Sequence, residues 1–413
     1  MKQHARLLLF FICLMVLMGY GCRNGKENVA RKTYSFSFLT AQGTHIVDEE
    51  GRQVLLKGVN LGNWLLIEMW MLGLANSGIA DQYGFEQLLI KRFGKSQKDH
   101  LLDIYREHYI QDRDFKIIKE FGMNVVRLPF WYALLEEDAH PQRIKENGWY
   151  WLDRAIAMAE SHGLYIILDL HGAAGSQNEW DHSGRADYNR LWSEKRYQER
   201  TVWLWTQIAR RYQFRKSVCG YDLLNEPWGG TAEDLRALTI RCYEAVRKSD
   251  SKHIIFFSSY FNDISIYGQP AEQGWKNMAF TCHFYPGFFG NGEPTVETHN
   301  RFIQDTINSY HTEIKKYNVP MLIGEFNVVL KAAGGGEMMR RYFDIYNQLG
   351  WAATMWSYKV FTTSGGIGDG SWGMVTNAEP LPYLDFYTMS RAAIESWFRE
   401  LAAMKYTVDE DLK

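Results

Sequence analysis

Two glutamates stand out by their surroundings. Glu226 follows an apolar run in GYDLLNEPWGG (220–230), and Glu325 follows another in PMLIGEFN (320–327). Strand interiors rarely hold an acid unless it is paired or used, because an unpaired buried carboxylate is costly. Pro227 biases the residue before it toward the extended conformation, so Glu226 is expected to form the last step of a strand. Two carboxylates brought face to face can divide acid and base work when their surroundings separate their pKa values. Hydrolysis of a glycosidic bond has that demand: one acid protonates the departing oxygen, and one carboxylate faces the anomeric carbon.

Further polar residues mark the ends of other apolar runs. They are Asn60, Arg127, His171, Asn225, His283, Tyr285, Trp356 and Lys359. Any one of them alone is ordinary, since a lone histidine is more often a satisfied structural group than a catalyst. Their convergence on one rim is not ordinary, because unrelated buried polar groups each cost several kcal/mol unless mutually satisfied. Arg127 placed near Glu325 would keep that carboxylate ionised. Tyr285 could donate a hydrogen bond to it. His283 and Asn225 are neutral groups suited to steadying Glu226 and a sugar hydroxyl.

Eight short apolar runs must position these residues: 55–60, 124–130, 165–171, 219–227, 253–259, 278–285, 320–327 and 352–359. Most are continuously apolar, as expected for parallel strands buried on both faces. Helical patterns separate most of them. Val202, Trp205, Ile208 and Tyr212 recur at helical spacing, as do Leu235, Leu238, Cys242 and Val246. Thr231 with Asp234 forms a capping-box pattern, and Gly163 ends another helical stretch. A last helix is expected over 384–404, and only the interval after the fifth run lacks a clear helix. Eight alternating strands and helices predict an α/β fold, a (β/α)8 TIM barrel with an N-terminal β-hairpin around THIVDEEGRQVLLKG and long βα loops. In such a barrel the chemistry gathers at the C-terminal ends of the strands. A doubly wound open sheet would want a glycine-rich first turn, and GVNLGNW lacks GxGxxG spacing. The glycine-rich GGIGDGSWG (365–373) reads as a loop over the barrel mouth.

Bulk properties add limits. The 413-residue chain has a net charge near −2, so nothing points to nucleic acid. Aromatics reach 15%, which serves either core packing or stacking platforms for sugar rings. Lys2 and Arg6 precede LLLFFICLMVLMGY, an apolar run shorter than the roughly 20 residues of a membrane span. Cys22 follows in GYGC, similar to a bacterial lipoprotein signal in which Cys22 would be lipidated; plain secretion is the alternative. The expected organisation is a signal over 1–21, a tether over 22–40, one catalytic barrel domain over 41–406 and a tail over 407–413. The protein would cross the inner membrane and stay in the cell envelope or periplasm, touching membrane only through a lipid on Cys22. Cys219, Cys242 and Cys282 are odd in number and widely spaced, so no disulfide framework is implied, and Cys219 and Cys282 read as buried small hydrophobes. No CxxC or HExxH occurs, which speaks against zinc. Asp181 and Asp187 fit no calcium-loop pattern. No cofactor is implied, and the sequence carries no cue to oligomeric state.

At these motifs the chain resembles glycoside hydrolase family 5, the retaining cellulase-like barrels, from about Val54 to the end of the last barrel helix. LLNEP is similar to the family's acid/base signature and LIGEF to its nucleophile signature, with RLPF, DLHG, HFYP and WSY in the family's order. The resemblance implies Glu226 as acid/base and Glu325 as nucleophile. It implies Asn225 on the 2-hydroxyl, Arg127, His171, His283 and Tyr285 completing that subsite, and Trp356 as a platform beneath the sugar. The substrate implied is a β-glucan oligo- or polysaccharide. LKGVNLGNWLLIE and DLHGAAGSQNEWDHSG resemble the exo-1,3-glucanase branch, whereas HFYP, GEFN and RLPFWY resemble the endo-1,4-glucanase branch. The exo reading is favoured, with endo-cleavage as the alternative. The loop from Gly172 to Asn189 should decide, its Gln177, Asn178, Asp181 and His182 being suited to hydroxyl recognition.

Two other classes compete. A surface glycan-binding lipoprotein could keep the barrel and lose catalysis, although both glutamates are present. A phosphate-handling barrel would want a glycine-rich anion cradle after strand seven or eight. AAGGGE (332–337) and GGIGDG offer glycines there without a basic cluster nearby.

Overall fold

The computed structural model describes residues 33–329, 334–364 and 370–408. A short hairpin comes first, β1 (Thr40–Gln42) against β2 (His45–Val47). The expected turn at Glu50–Gly51 is present, but a single bridge from Val47 to Gln53 is all the pairing it supports. Eight parallel strands then close into a barrel: β3 (Lys57–Asn60), β4 (Val125–Trp131), β5 (Tyr165–Gly172), β6 (Val218–Asp222), β7 (Ile254–Ser258), β8 (Met278–Phe284), β9 (Met321–Phe326) and β10 (Ala352–Met355). Neighbours follow chain order, and β10 closes on β3. Each coincides with one of the eight apolar runs.

Helices cover the outside. Three lie between β3 and β4: α1 (Gln82–Phe93), α2 (Lys95–Tyr109) and α3 (Asp112–Glu120). Then come α4 (Tyr150–Ser161), α5 (Lys195–Tyr212) and α6 (Ala232–Arg247). Thr231 and Asp234 form the reciprocal capping box that starts α6, and Gly163 turns the chain after α4 at φ 66°. Only a 3-10 turn, Ser265–Tyr267, separates β7 from β8. α7 (Val296–Arg301) runs through a π-helical turn, Phe302–Ile307, into α8 (Asn308–Tyr317). α9 (Gly335–Gln348) precedes β10, and α10 (Arg391–Ala403) packs on α2. The last helix starts at Arg391, later than its apolar pattern suggests, because the Ser390 hydroxyl caps it there.

Alternation along the strands sorts two cores. Val126, Leu128, Ile166 and Leu168 face the helices, while Val125, Ile167, Cys219, Phe256 and Leu322 fill the barrel bottom with Leu39 and Ile46. Cys219, Cys242 and Cys282 are buried free thiols. Two boundaries are corrected. Phe36 packs edge-on against Tyr165 and Leu39 is buried, so the chain packs on the barrel from Phe36 onward, ahead of the expected end of the tether at 40. β12 (Tyr406–Val408) pairs with β11 (Val375–Asn377), so the fold continues past 406. Residues 1–32, Cys22 among them, lie outside the described residues.

Candidate active site

The floor of the site is built on one buried arginine. Inward positions of β4 place Arg127 one layer above Val125, wholly buried. Its Nε donates to Asp222 Oδ2 at 2.9 Å and its Nη1 to Glu325 Oε1 at 2.9 Å and Asn60 Oδ1 at 3.0 Å. Its Nη2 donates to Asn225 Oδ1 at 2.9 Å and stands 3.1 Å from Asp169 Oδ1. The fixed fork of a guanidinium suits this many-sided role. Arg127 does not line the cleft. It was expected beside Glu325 and in the sugar's subsite; it meets Glu325 and, wholly buried, holds other groups as well. Three carboxylates around one cation leave an excess of buried negative charge. Burial outweighs Arg127 and pushes Asp169 up to about 7 and Asp222 up to about 6.

Glu325 ends β9. Beyond Arg127 it accepts from the Tyr285 hydroxyl, at Oε2, 2.8 Å. A register shift between Cys282 and His283 turns the end of β8 so that His283 pairs across from Glu325. A Cβ on Gly324 would lie 2.9 Å from His283 Nε2, so the glycine of LIGEF makes room for that ring. His283 Nδ1 stands 2.8 Å from Glu226 Oε1 and 3.5 Å from Glu325 Oε2, between the two acids. Burial lowers His283 to about 4, so the ring is neutral at neutral pH.

Glu226 is not the last step of a strand. β6 stops at Asp222, and Glu226 has φ 42° in the left-handed region. The proline rule disfavours the right-handed helical region, and here the chain takes a left-handed turn rather than an extended one. Such a conformation costs about 1–3 kcal/mol and persists where neighbours over-determine it. They do: the Glu226 carbonyl accepts from Asn178 Nδ2 and from Trp228 N–H, both at 2.8 Å. Gln177 Nε2 donates to the Asn225 carbonyl at 2.9 Å. Gln177 and Asn178 are fully engaged and buried, so neither is free for a sugar hydroxyl, contrary to expectation. They lock the backbone of Asn225 and Glu226. Burial raises the Glu226 carboxyl, with His182 and Arg127 opposing.

His171 ends the β5 column above Ile167 and Asp169. Its Nδ1 stands 2.7 Å from Asp169 Oδ2, which leaves Nε2 as an acceptor 3.4 Å from Asn225 Nδ2. Its ring lies parallel to Trp356, with centroids 5.2 Å apart, and both line the cleft. Asn225 is almost wholly buried. Lys359 does not reach the rim; it is buried against Asp114 at 3.0 Å and the Tyr406 hydroxyl in the outer layer.

A cleft of about 1310 Å³ opens above Glu226 and Glu325. One wall carries Trp180 and Phe261, each packed against Trp228. The other carries Trp70, Trp372, Phe289 and Tyr285. Phe289 is 78% exposed and Phe261 54%, an exposure that marks a binding surface when rings gather in one groove. Trp372 brings the described part of the 365–373 loop to the mouth. Sequence reasoning missed Glu68, whose buried carboxyl lines the cleft, accepts from Trp70 Nε1 at 2.8 Å and is held well above the usual range by burial and by Asp181. The signal was available: an acid inside LLIEMWML, the same mark that singled out Glu226.

Among the described residues, Glu226, His283 and Glu325 form the one cluster of candidate metal ligands, their donor atoms within 4.8 Å of one another. Glu325 is already committed to Arg127 and Tyr285, and a dication there would face the buried guanidinium. Asp181 and Asp187 are not part of that cluster. The arrangement suits proton traffic between two unlike carboxylates.

A closed (β/α)8 barrel with two facing acids at the C-terminal rim defines a class of enzyme, the glycoside hydrolases. The profile of Cellulase (glycosyl hydrolase family 5) matches residues 84–362, and the chain belongs to that family. A beta-xylosidase of Phanerodontia chrysosporium is 29% identical over 394 residues, 90% of this chain and 80% of the relative. Glucan 1,3-beta-glucosidase 2 of Candida albicans is 26% identical over 370 residues, 78% of this chain and 73% of the relative. Among solved structures, a rutinosidase from Aspergillus niger matches with a TM-score of 0.61 at 16% identity, covering 89% of this chain and 100% of that one, a likeness of fold alone.

Proposed function

We propose that the chain is a retaining, exo-acting β-glycosidase of β-1,3-glucans, with Glu226 as acid/base and Glu325 as nucleophile. One observation carries the reading. An oxygen of each carboxylate lies within 4.8 Å of the other's, closer than the roughly 6.5–9.5 Å between the carboxyl groups of inverting enzymes, and their surroundings differ in kind. Glu325 has a guanidinium and a phenol on its oxygens; Glu226 is held up by burial.

In the first step a Glu325 oxygen attacks the anomeric carbon while Glu226 gives its proton to the departing oxygen. The glycosidic C–O bond breaks and a glycosyl ester of Glu325 forms. In the second step Glu226, now ionised, takes a proton from water as its oxygen attacks the same carbon. Glu325 leaves as carboxylate and Glu226 is protonated again. Asn225, its Nδ2 3.4 Å from His171 Nε2, is the residue assigned to the 2-hydroxyl. His171 and Trp356 line the same subsite, and the aromatic walls suit the aglycone sugars.

The names of the relatives support an exo-acting glucosidase. The beta-xylosidase also supports a second reading, release of single β-xylosyl units. Product analysis on laminari-oligosaccharides, cellulose and aryl β-xylosides tests both. Glucose as the first product from laminari-oligosaccharides supports the main reading. Mixed oligomers from cellulose would replace it with endo-cleavage, and turnover of the xyloside alone would favour the second. The apolar run ahead of Cys22 supports a lipid-anchored protein of the cell envelope, tested by labelling of wild type but not Cys22→Ala with a fatty-acid probe.

A further inference from the structure

We propose that His182 is a positioning residue for Glu226, its Nδ1–H held toward Glu226 Oε2 so that the carboxyl keeps one orientation and exchanges its proton readily in both half-reactions. The inference rests on Glu226 being the acid/base.

The geometry settles the ring's tautomer. Asn178 Oδ1 accepts from Trp180 N–H at 2.9 Å, which fixes which end of that amide is nitrogen. Asn178 Nδ2 then spends one hydrogen on the Glu226 carbonyl and the other on His182 Nε2, both at 2.8 Å. An amide NH2 only donates, so His182 Nε2 is the acceptor and the neutral ring carries its hydrogen on Nδ1. That nitrogen stands 3.3 Å from Glu226 Oε2. The other oxygen, Oε1, faces His283. Asn178 thus holds both the backbone and, through His182, the side chain of the same residue.

Burial lowers His182 to about 4, so it acts as a neutral donor and not as a cation. Facing Oε2 at 3.3 Å, off the line of a formed hydrogen bond, the N–H dipole favours the ionised carboxyl, which the second step uses as base. The other charged or titratable groups around Glu226 come from five directions. They are Arg127 on β4, Asp169 and His171 on β5, His283 and Tyr285 at the end of β8, Glu325 on β9, and Glu68 in the loop after β3. None of them reaches Oε2 in place of His182 among the described contacts.

The experiment compares wild type, His182→Ala and His182→Asn on an aryl β-glucoside with an activated leaving group and on a laminari-oligosaccharide, each as a pH profile with a thermal melt. Glu226→Ala with added azide is the control for the underlying assignment. Loss of the facing N–H dipole is expected to move the basic limb of kcat/KM on the oligosaccharide upward by about 0.5 pH unit. It is also expected to slow the second step, seen as a burst of aryl product. Asparagine, which can place Nδ2 where Nδ1 stood, should restore the limb. An unmoved limb in His182→Ala, with a wild-type melt and azide rescue of Glu226→Ala, overturns the role of His182. A raised KM with an unmoved limb also overturns it, in favour of a direct sugar contact. Full oligosaccharide turnover by Glu226→Ala without azide overturns the assignment beneath it.

Discussion

Arg127 and Glu325 come from strands 198 residues apart in sequence and meet at 2.9 Å in the barrel's interior. The same guanidinium orders Asp222, Asn60 and Asn225, so Glu325, its neighbours and the start of the Glu226 turn share one anchor.

Replacing Arg127 by methionine leaves three buried carboxylates without their cation. Breaking a buried pair from one side costs about 3–5 kcal/mol. The expected result is a chain with a much lower melting temperature and no measurable turnover. Arg127→Lys, a point charge without the fork, should melt closer to wild type and still lose most activity. Calorimetry beside an activity assay checks both.

The Tyr285 hydroxyl serves one of the two oxygens of Glu325. A hydrogen bond to a charged group contributes about 1.5–3 kcal/mol. Tyr285→Phe should therefore lower kcat/KM by roughly one to two orders of magnitude with the melt little changed. An unchanged kcat/KM would show that the phenol is spectator to the reaction.

With Glu226 as the proposed acid, activity needs it protonated for the first step. Burial raises its carboxyl above the ordinary range, so turnover is full below that raised value and is lost as pH rises through it. The basic limb of kcat/KM should therefore lie above the ordinary glutamate value of about 4.3. In Glu226→Gln the limb should vanish on an activated aryl glycoside, whose first step needs little protonation, while oligosaccharide hydrolysis collapses.

Stability should carry an unusual pH slope. Asp169 and Asp222 are pushed up to about 7 and about 6, so the folded chain binds protons that the unfolded chain has released. Their contribution is complete below about pH 3.9, the unfolded value, and is lost as pH rises through 6 to 7. Asp169→Asn, which can still accept from His171, should flatten that part of the slope in chemical denaturation series.

Much of this was readable in the chain, for a physical reason. Strands buried on both faces must be continuously apolar, so all eight announced themselves, and a polar residue at the end of such a run has little to do except meet the rim. Direction was harder. Lys359 and Gln177 look like rim and hydroxyl-binding residues, yet one turns outward to Asp114 and the other braces a backbone. Nothing local tells a side chain which neighbour will arrive from a distant strand. Glu226 failed for the converse reason: a sound local rule for the residue before proline was overridden by hydrogen bonds from a loop some 48 residues away.

The central claim is that Glu226 and Glu325 act on opposite sides of one sugar, one giving a proton and the other forming a bond. A proton NMR time course of hydrolysis of a β-linked substrate tests it directly. The account predicts that the β-anomer of the released sugar appears first and then mutarotates. First appearance of the α-anomer would contradict it.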